Sequence, residues 1–293
     1  SPPRAPHRLP GRRRGTRGRI RAPASTDVTG GAADGGTSLR LSAVVPVFNE
    51  RENVVSLVEE LCAELRRIGA PSEILLVDDG STDGSGDLLD RIAASTPGVR
   101  ALHLDRNRGQ SAAIAAGFEA AGGEYIVILD GDRQNDPADI SRLLEWIPQF
   151  DMVAGYRRER RDSRLRRASS VIANRVRDRV LGDGIRDTGC SLKLFRRDLT
   201  ARMPRFNGMH RFLPLLVQLQ GGVVTQIPVN HRPRVAGSSK YGVRNRLFRG
   251  LFDLLGMLWL KRRYVNYAVS YEMPVRPRVP AARTVDPAQR EES

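Results

Sequence analysis

Residues 125–137 constrain the fold of this chain more than any other stretch. They read Tyr-Ile-Val-Ile-Leu-Asp-Gly-Asp-Arg-Gln-Asn-Asp-Pro. The five β-favouring or apolar residues at the start predict a buried strand, and the polar residues after them predict a loop. In open α/β sheets, ligands bind outside the carboxyl ends of the strands. Asp130 and Asp132 are therefore expected beside a ligand.

Two carboxylates separated by one residue favour a hard divalent cation. Mg²⁺ and Mn²⁺ bind carboxylate oxygens and share phosphate oxygens of a substrate. The alternative is a solvated Asp-Gly-Asp turn, which is the commoner meaning of this motif when it occurs alone. The strand in front of the motif favours the metal site, with Asp130 and Asp132 as ligands.

The same order of a strand followed by a polar loop occurs three times before residue 125. Strands are predicted at 41–47, 73–77 and 99–104, and helices at 54–68, 84–94 and 110–121. Strands that alternate with helices predict a parallel sheet covered on both faces. The polar loops after the strands are then expected to meet at one rim of the sheet.

The second half of the chain continues the pattern less regularly. Strands are predicted at 151–155, 191–195 and 223–229, and a helix begins within 207–214. Seven of the twelve residues in 156–167 are Arg. A helix is predicted at 164–181, with Val176 and Val180 on its apolar side.

Residues 244–263 predict an amphipathic helix whose apolar core, 250–260, is too short to cross a bilayer. Two interpretations stay open: a helix in the membrane interface with its basic ends on anionic lipid, or a helix packed on the domain. The predicted organisation is a disordered Arg-rich arm (1–38), a globular domain (39–243), this helical region (244–272) and a disordered tail (273–293).

The net charge of +15, with Arg as 45 of the 48 basic residues, indicates anionic partners. Phosphates, acidic lipids and nucleic acid all qualify. Two cysteines are too few for a disulfide framework and indicate a reducing, cytoplasmic setting. No early apolar segment resembles a signal peptide. A nucleic-acid-binding protein stays as the alternative from another class, although an acidic rim would repel phosphate without a metal.

Six motifs together resemble those of family 2 glycosyltransferases, and most of all the dolichol- or polyprenol-phosphate mannosyltransferases. The resemblance runs from about residue 41 to 245, and its motifs occur in the family's order. The family usually has Ala at position 131 and Leu at position 133, so Gly131 and Arg133 are departures. The motifs are Pro46-Val47-Phe48-Asn49-Glu50, Asp78-Asp79-Gly80-Ser81, Asn107-Arg108-Gly109, Asp130-Gly131-Asp132 with Gln134, Asp187-Thr188-Gly189 and Gly237-Ser238-Ser239-Lys240.

The resemblance implies a GT-A fold, a Rossmann-like mixed sheet that binds a nucleotide sugar. It also implies inverting transfer of a hexose to a polyprenyl or dolichyl phosphate, at the inner face of the membrane. Mannose from GDP-mannose is expected first; a UDP-sugar, either UDP-glucose or a UDP-amino sugar, is the rival. A relative that binds sugar nucleotides without catalysis is a further alternative. Pro46, Asn49 and Glu50 would line the nucleotide pocket, Asp78 and Asp79 would approach base and ribose, and Asp130, Asp132 and Gln134 would hold the metal or the diphosphate.

A phosphate monoester acceptor is mostly ionised at neutral pH, because its second pKa is about 6. It therefore needs cations that hold it in line more than it needs a strong general base. Asp187 is expected to position substrate, with general-base catalysis as the alternative. Asp132, Asp187, Arg157 and Lys240 form the predicted catalytic set. The predicted substrate-binding cations are Arg108, Arg164, Arg167, Arg211 and Arg234.

Overall fold

The computed structural model describes residues 40–157, 176–233 and 243–267, with side chains from 252 onward in the last range. The predicted N-terminal arm, most of the Arg-rich segment and the tail lie outside these residues. So do four of the predicted site residues, Arg164, Arg167, Arg234 and Lys240.

One seven-stranded sheet organises the described residues, in the order β3-β2-β1-β4-β6-β5-β7. Every strand runs parallel to its neighbours except β6, which is antiparallel to both β4 and β5. The mixed sheet that the family resemblance implied is thus confirmed, and no strand end differs from its predicted position by more than two residues. The strands are β1 (Leu41–Val47), β2 (Ser72–Asp78), β3 (Val99–His103), β4 (Tyr125–Ile128), β5 (Met152–Arg157), β6 (Lys193–Arg196) and β7 (Val224–Val229).

Seven α-helices and a further helical segment at 176–181 accompany the sheet in the described residues. The first of them shows how sequence dictates the element. Its apolar residues recur at helical spacing, and Gly69 ends it in the left-handed conformation at φ 70°. The helices are α1 (Arg51–Ile68), α2 (Ser85–Ser95), α3 (Gln110–Ala120), α4 (Asp139–Leu144), α5 (Arg197–Ala201), α6 (Leu213–Leu219) and α7 (Val243–Arg263).

The helices cover both faces of the sheet, as predicted. On one face, α1, α2 and α4 pack against the sheet through residues such as Leu57, Leu89 and Ile140. On the other face, α3, α6 and α7 do the same through residues such as Ile114 and Leu216. Strands buried on both faces explain the continuous apolar runs of the sequence.

The prediction that Val176 and Val180 lie on the buried side of the helix before residue 182 is wrong. Val176 and Val180 are 49% and 36% exposed, whereas Arg177 and Leu181 are buried. Leu181 enters the core, and Arg177 lies 3.3 Å from the carboxylate of Asp183. An ion pair therefore occupies the buried side that the sequence assigned to valines.

The terminal helix α7 combines features of both sequence interpretations. Leu254 and Met257 are buried in the core on the α3 side of the sheet. Phe252, Leu255 and Trp259 are 78%, 58% and 64% exposed. One face therefore packs on the domain while another presents apolar side chains outward. Within the part of the chain that the structure describes, no helix has the length and apolarity needed to span a membrane.

Candidate active site

The carboxyl ends of the parallel strands β1, β2 and β4 lie at one rim, and hydrogen bonds join the loops after β1 and β2. The backbone N–H of Asn49, after β1, donates to the hydroxyl of Ser81, after β2, at 2.9 Å. The side-chain oxygen of Asn49 accepts from the N–H of Thr82 at 2.7 Å. The backbone N–H of Glu50 donates to the Ser85 hydroxyl at 3.1 Å. These predicted nucleotide-pocket residues therefore lie in an ordered loop pair, directly after Pro46 and Val47 at the end of β1.

Asp78, at the end of β2, is buried and lies between two partners. Its Oδ1 accepts from the backbone N–H of Ser81 at 3.0 Å, and its Oδ2 lies 3.2 Å from His103 Nδ1. The other ring nitrogen of His103 lies 3.0 Å from Asp90. Burial alone would lower the pKa of His103, but Asp90 and Asp78 outweigh it and raise that pKa. His103 therefore fixes the orientation of Asp78.

Asp79 organises the loop before α3. Its carboxylate accepts hydrogen bonds from the backbone N–H groups of Arg108, at 2.7 Å, and Gly109, at 2.9 Å. Burial raises the pKa of Asp79 despite these donors. Gly80 allows the close approach of this loop, since a Cβ there would lie 2.5 Å from the backbone of Arg106. The side chain of Arg108 pairs with Asp105 at 2.7 Å.

Asp130 and Asp132 follow β4 as predicted and are held by different donors. Asp130 Oδ1 accepts from the side-chain amide of Gln110, the first residue of α3, at 2.8 Å. Asp132 is 6% exposed, and its Oδ1 accepts from the backbone N–H of Gln134 at 3.1 Å. Burial raises the pKa of Asp130 to about 6, and the negative charge of Asp132 adds to that rise. A cation between the carboxylates would relieve their repulsion.

This donor set fits a divalent ion that also binds substrate. Among the described residues no group of three His, Cys, Asp or Glu side chains forms a metal cage. Mg²⁺ characteristically takes one or two carboxylates and completes its shell with substrate phosphates and water. The Asp130–Asp132 pair suits that mode of binding.

Gln134 and Asn135 contact the segment that follows β7. Gln134 Nε2 lies 3.4 Å from His231 Nε2, and the backbone N–H of Arg232 donates to the Gln134 carbonyl at 2.9 Å. Asn135 forms an isolated antiparallel bridge with His231. His231 was missed from the sequence, although a polar residue after a strand was the signal that identified Asp130.

Arg157 and Asp187 form a two-pronged ion pair beside the rim. Arg157 Nε lies 2.8 Å from Asp187 Oδ2, and Arg157 Nη2 lies 2.9 Å from Oδ1. Asp187 is buried and also accepts from the backbone N–H of Gly189. A Cβ on Gly189 would lie 2.9 Å from Arg157 Nη2, so a glycine is needed for this approach. Two of the four predicted catalytic residues, Arg157 and Asp187, are thus in direct contact.

Two further groups near the rim are His210 and Lys193, of which Lys193 was not identified from the sequence. His210 Nδ1 lies 2.8 Å from the Ser111 hydroxyl, which itself accepts from the backbone N–H of Gly208. Burial, with Arg211 and Lys193 contributing, lowers the pKa of His210 to about 3. Lys193 is 2% exposed and donates to the carbonyl of Cys190. The predicted substrate residue Arg211 pairs with Asp253 of α7 at 3.1 Å.

Residues 42–203, more than half of the chain, match the family model described as Glycosyl transferase family 2. The chain is 40% identical over 221 residues to the undecaprenyl-phosphate 4-deoxy-4-formamido-L-arabinose transferase of Pectobacterium atrosepticum, covering 74% of this chain and 67% of that protein. It is 37% identical over 238 residues to the dodecaprenyl-phosphate galacturonate synthase of Rhizobium johnstonii, covering 79% and 70%.

Solved structures of the same fold include glucosyl-3-phosphoglycerate synthase from Mycobacterium tuberculosis. Its complex with phosphoglyceric acid superimposes with a TM-score of 0.59 at 16% identity, over 76% of this chain and 80% of that chain. A second complex of that enzyme, which holds Mn²⁺, UDP and glucosyl-3-phosphoglycerate, gives 0.56 at 17% identity, over 81% and 86%. The predicted GT-A fold is confirmed by these neighbours. By sequence and by fold, the chain belongs to glycosyltransferase family 2.

Proposed function

We propose that this glycosyltransferase moves a sugar from a nucleotide sugar to a polyprenyl phosphate. The observation that carries the proposal is the Asp130–Asp132 carboxylate pair at the rim where the β1 and β2 loops meet. The acceptor is supported by the two relatives above, whose names specify undecaprenyl and dodecaprenyl phosphate.

A divalent cation, Mg²⁺ or Mn²⁺, is proposed at Asp130 and Asp132, with Gln134 beside it. Bound there with the substrate diphosphate, the ion would neutralise the negative charge that grows on the leaving group. Each carboxylate is already held through one oxygen, Asp130 by the Gln110 side-chain amide and Asp132 by the Gln134 backbone N–H. The glucosyl-3-phosphoglycerate synthase complex described above contains Mn²⁺ and UDP. For this chain, the metal site is proposed from Asp130, Asp132 and Gln134 themselves.

The nucleotide is proposed to bind between the loops after β1 and β2. Asn49, Asp78 and Asp79 are fixed by hydrogen bonds within the protein. A loop that is already ordered loses little conformational entropy when a ligand binds. Pro46 and Glu50 complete the proposed wall of this pocket.

The acceptor phosphate is proposed to lie near Arg157. An ionised phosphate requires positioning and charge compensation rather than deprotonation. Asp187 holds Arg157 through both carboxylate oxygens. We therefore propose that Asp187 orients this cation, and not that it acts as a base. Arg164, Arg167, Arg234 and Lys240 are kept as proposed acceptor contacts.

Two of the predicted substrate-binding arginines have acidic partners in the protein. Arg108 pairs with Asp105, and Arg211 pairs with Asp253. Substrate binding by either side chain would compete with its ion pair. We propose that Arg108 contributes through its backbone N–H to Asp79, and that Arg211 anchors α7.

A peripheral position on the inner membrane face is proposed from α7 and the residues after it. The exposed apolar residues Phe252, Leu255 and Trp259 are followed by the exposed cations Lys261, Arg262 and Arg263. Aromatic and basic residues together favour the interface of anionic lipid. At this position the protein would contact the phosphate group of a lipid acceptor at the membrane surface.

The identity of the transferred sugar depends on which nucleotide sugar the protein uses as donor. The motifs favour mannose from GDP-mannose, whereas the relatives are named for 4-deoxy-4-formamido-L-arabinose and galacturonate. We propose a panel of radiolabelled GDP-mannose, UDP-glucose, UDP-GlcNAc and UDP-galacturonate. Each donor is incubated with purified protein, Mn²⁺ or Mg²⁺, and a short polyprenyl phosphate, and label in the lipid phase is counted.

Label transferred from one donor supports the proposal and identifies the sugar. Asp132→Asn should abolish the transfer because a ligand charge is lost, whereas Asp87→Asn, on the exposed side of α2, should not. Nucleotide binding by calorimetry without transfer from any donor would indicate another acceptor or a silent relative. Absence of nucleotide binding would refute the proposed chemistry.

A further inference from the structure

A carboxylate in the middle of α1 connects two loops at the rim. Glu60 Oε1 lies 2.5 Å from Arg133 Nη2, and Glu60 Oε2 accepts from Arg232 Nη1. Arg232 also reaches Asp136, at 2.8 Å. Four charged side chains from three separate segments therefore form one network, which we name the Glu60 clamp: Glu60, Arg133, Asp136 and Arg232.

The Glu60 clamp encloses the loop that carries the proposed metal site. Arg133 directly follows Asp132 and has a φ of 60°, a left-handed conformation that is uncommon for residues other than glycine. At the other end, the backbone N–H of Arg232 donates to the Gln134 carbonyl. The segment 132–136 is thus held from both of its sides.

The charge state of Glu60 fits this role. Burial alone would raise the pKa of its carboxyl, but the hydrogen bonds and charges of Arg133 and Arg232 outweigh burial and lower it. A carboxylate that stays ionised at neutral pH can hold both guanidinium groups. The contact with Glu60 also explains why Arg stands at position 133, where the family usually has Leu, because the Arg133 side chain pairs with Glu60 on α1.

We propose that Glu60 is a positioning residue for binding of the metal and diphosphate. It holds 132–136 in the conformation that presents Asp132 and Gln134, although it lies on a helix and touches neither of them in the described contacts. Without it, the loop would populate other conformations, and the apparent affinity for the cation would fall by the fraction that remains competent. The inference rests on the proposed function, since it assumes that a cation binds at Asp130 and Asp132.

The chain offers a matched control on the same helix. Glu64, one turn after Glu60, pairs with Arg67 at 2.8 Å and makes no described contact with the loop. Glu60→Gln and Glu64→Gln each remove the negative charge of a glutamate on α1 that pairs with arginine. Only the first change is expected to affect the loop.

The experiment has three readouts. Amide exchange of peptides that cover 132–136 is measured by mass spectrometry in metal-free protein. Mn²⁺ binding in the presence of UDP, or of GDP if the wild type prefers it, is titrated by electron paramagnetic resonance. Thermal unfolding reports stability.

Glu60→Gln should accelerate exchange in 132–136 and raise the apparent Kd for Mn²⁺ by roughly fivefold to tenfold, if 10–20% of the loop population stays competent. Turnover at saturating Mn²⁺ should remain within about twofold, because saturating metal selects the competent loop. Glu64→Gln should lower the unfolding temperature to a similar extent, but it should leave amide exchange in 132–136 and the apparent Kd for Mn²⁺ unchanged. Arg133→Leu should reproduce the Glu60→Gln result, and the double variant should be no worse than either single variant.

Unchanged exchange and unchanged Mn²⁺ affinity in Glu60→Gln would overturn the clamp. Equal effects of Glu60→Gln and Glu64→Gln would reduce it to general stabilisation and also overturn it. Failure of the wild type to bind Mn²⁺ with nucleotide would refute the proposed function instead. The exchange measurement on metal-free protein would still decide whether Glu60 orders the loop.

Discussion

Replacing Asp130 with Asn should stabilise the metal-free protein at neutral and alkaline pH while abolishing its cation binding. Burial, with the negative charge of Asp132 adding to it, raises the pKa of the Asp130 carboxyl from 3.8 to about 6. Asn keeps the shape of the side chain, and its oxygen can still accept from the Gln110 amide that now contacts Asp130. The substitution therefore removes chiefly the charge.

The magnitude and the sign follow from the pKa difference. One pKa unit corresponds to about 1.4 kcal/mol, so the rise of Asp130 corresponds to about 3 kcal/mol at most. Because the residue is partly exposed, solvent screening reduces the expected gain to about 1–3 kcal/mol. An acid with a raised folded pKa destabilises the fold once it ionises. The penalty is absent below about pH 4, grows between pH 4 and 6, and is complete above pH 6.

Urea denaturation in EDTA at pH 4.5, 6 and 8 tests this expectation. The advantage of Asp130→Asn over wild type should increase with pH and level off above about pH 6. Asp83→Asn provides a contrast of opposite sign. Burial alone would raise the pKa of Asp83, but the Ser85 hydroxyl and backbone N–H donors outweigh it and lower that pKa. Asp83→Asn should therefore lose stability at neutral pH. A pH-independent gain, or a loss at pH 8, in Asp130→Asn would refute the reasoning.

Three other substitutions test packing, positioning and the membrane surface. Gly117→Ala should destabilise by roughly 1–3 kcal/mol in urea denaturation, because a Cβ there lies 2.3 Å from Val44 Cγ1; a neutral result would contradict the tight helix–sheet contact. Arg157→Lys should lower turnover at least about tenfold with unchanged nucleotide affinity, since Lys cannot form both contacts with Asp187; an equal loss of nucleotide binding would argue against an acceptor role. Trp259→Glu should weaken binding to anionic vesicles without lowering the unfolding temperature, because this side chain is 64% exposed; undiminished binding would move the membrane contact elsewhere.

The first half of the fold and the position of the site were predictable because both follow from local pattern. Alternating strands and helices predict a parallel sheet, and the carboxyl ends of parallel strands share one edge. The location of Asp78, Asp79 and Asp130 follows from that rule alone. Their partners do not follow, since His103 reaches Asp78 from the next strand.

The second half was harder to predict because its strands are short and their direction is not encoded locally. Lys193–Arg196 has the same alternation in either direction, and its antiparallel pairing depends on β4 and β5. Buried charges also defeat pattern analysis. Arg177 is buried although it is charged, and it pairs there with Asp183 and the Ile185 carbonyl.

The antiparallel insertion of β6 has a consequence for how the chain assembles. Strand β4 ends at residue 128, and within the part of the chain that the structure describes, the edge of β4 that faces away from β1 pairs with residues 193–196. During synthesis an apolar strand edge therefore waits for more than sixty further residues, and such edges readily pair with other chains. Truncation before residue 193 should give aggregates rather than a smaller soluble domain. The shortest fragment that protects its own sheet must extend beyond Arg196.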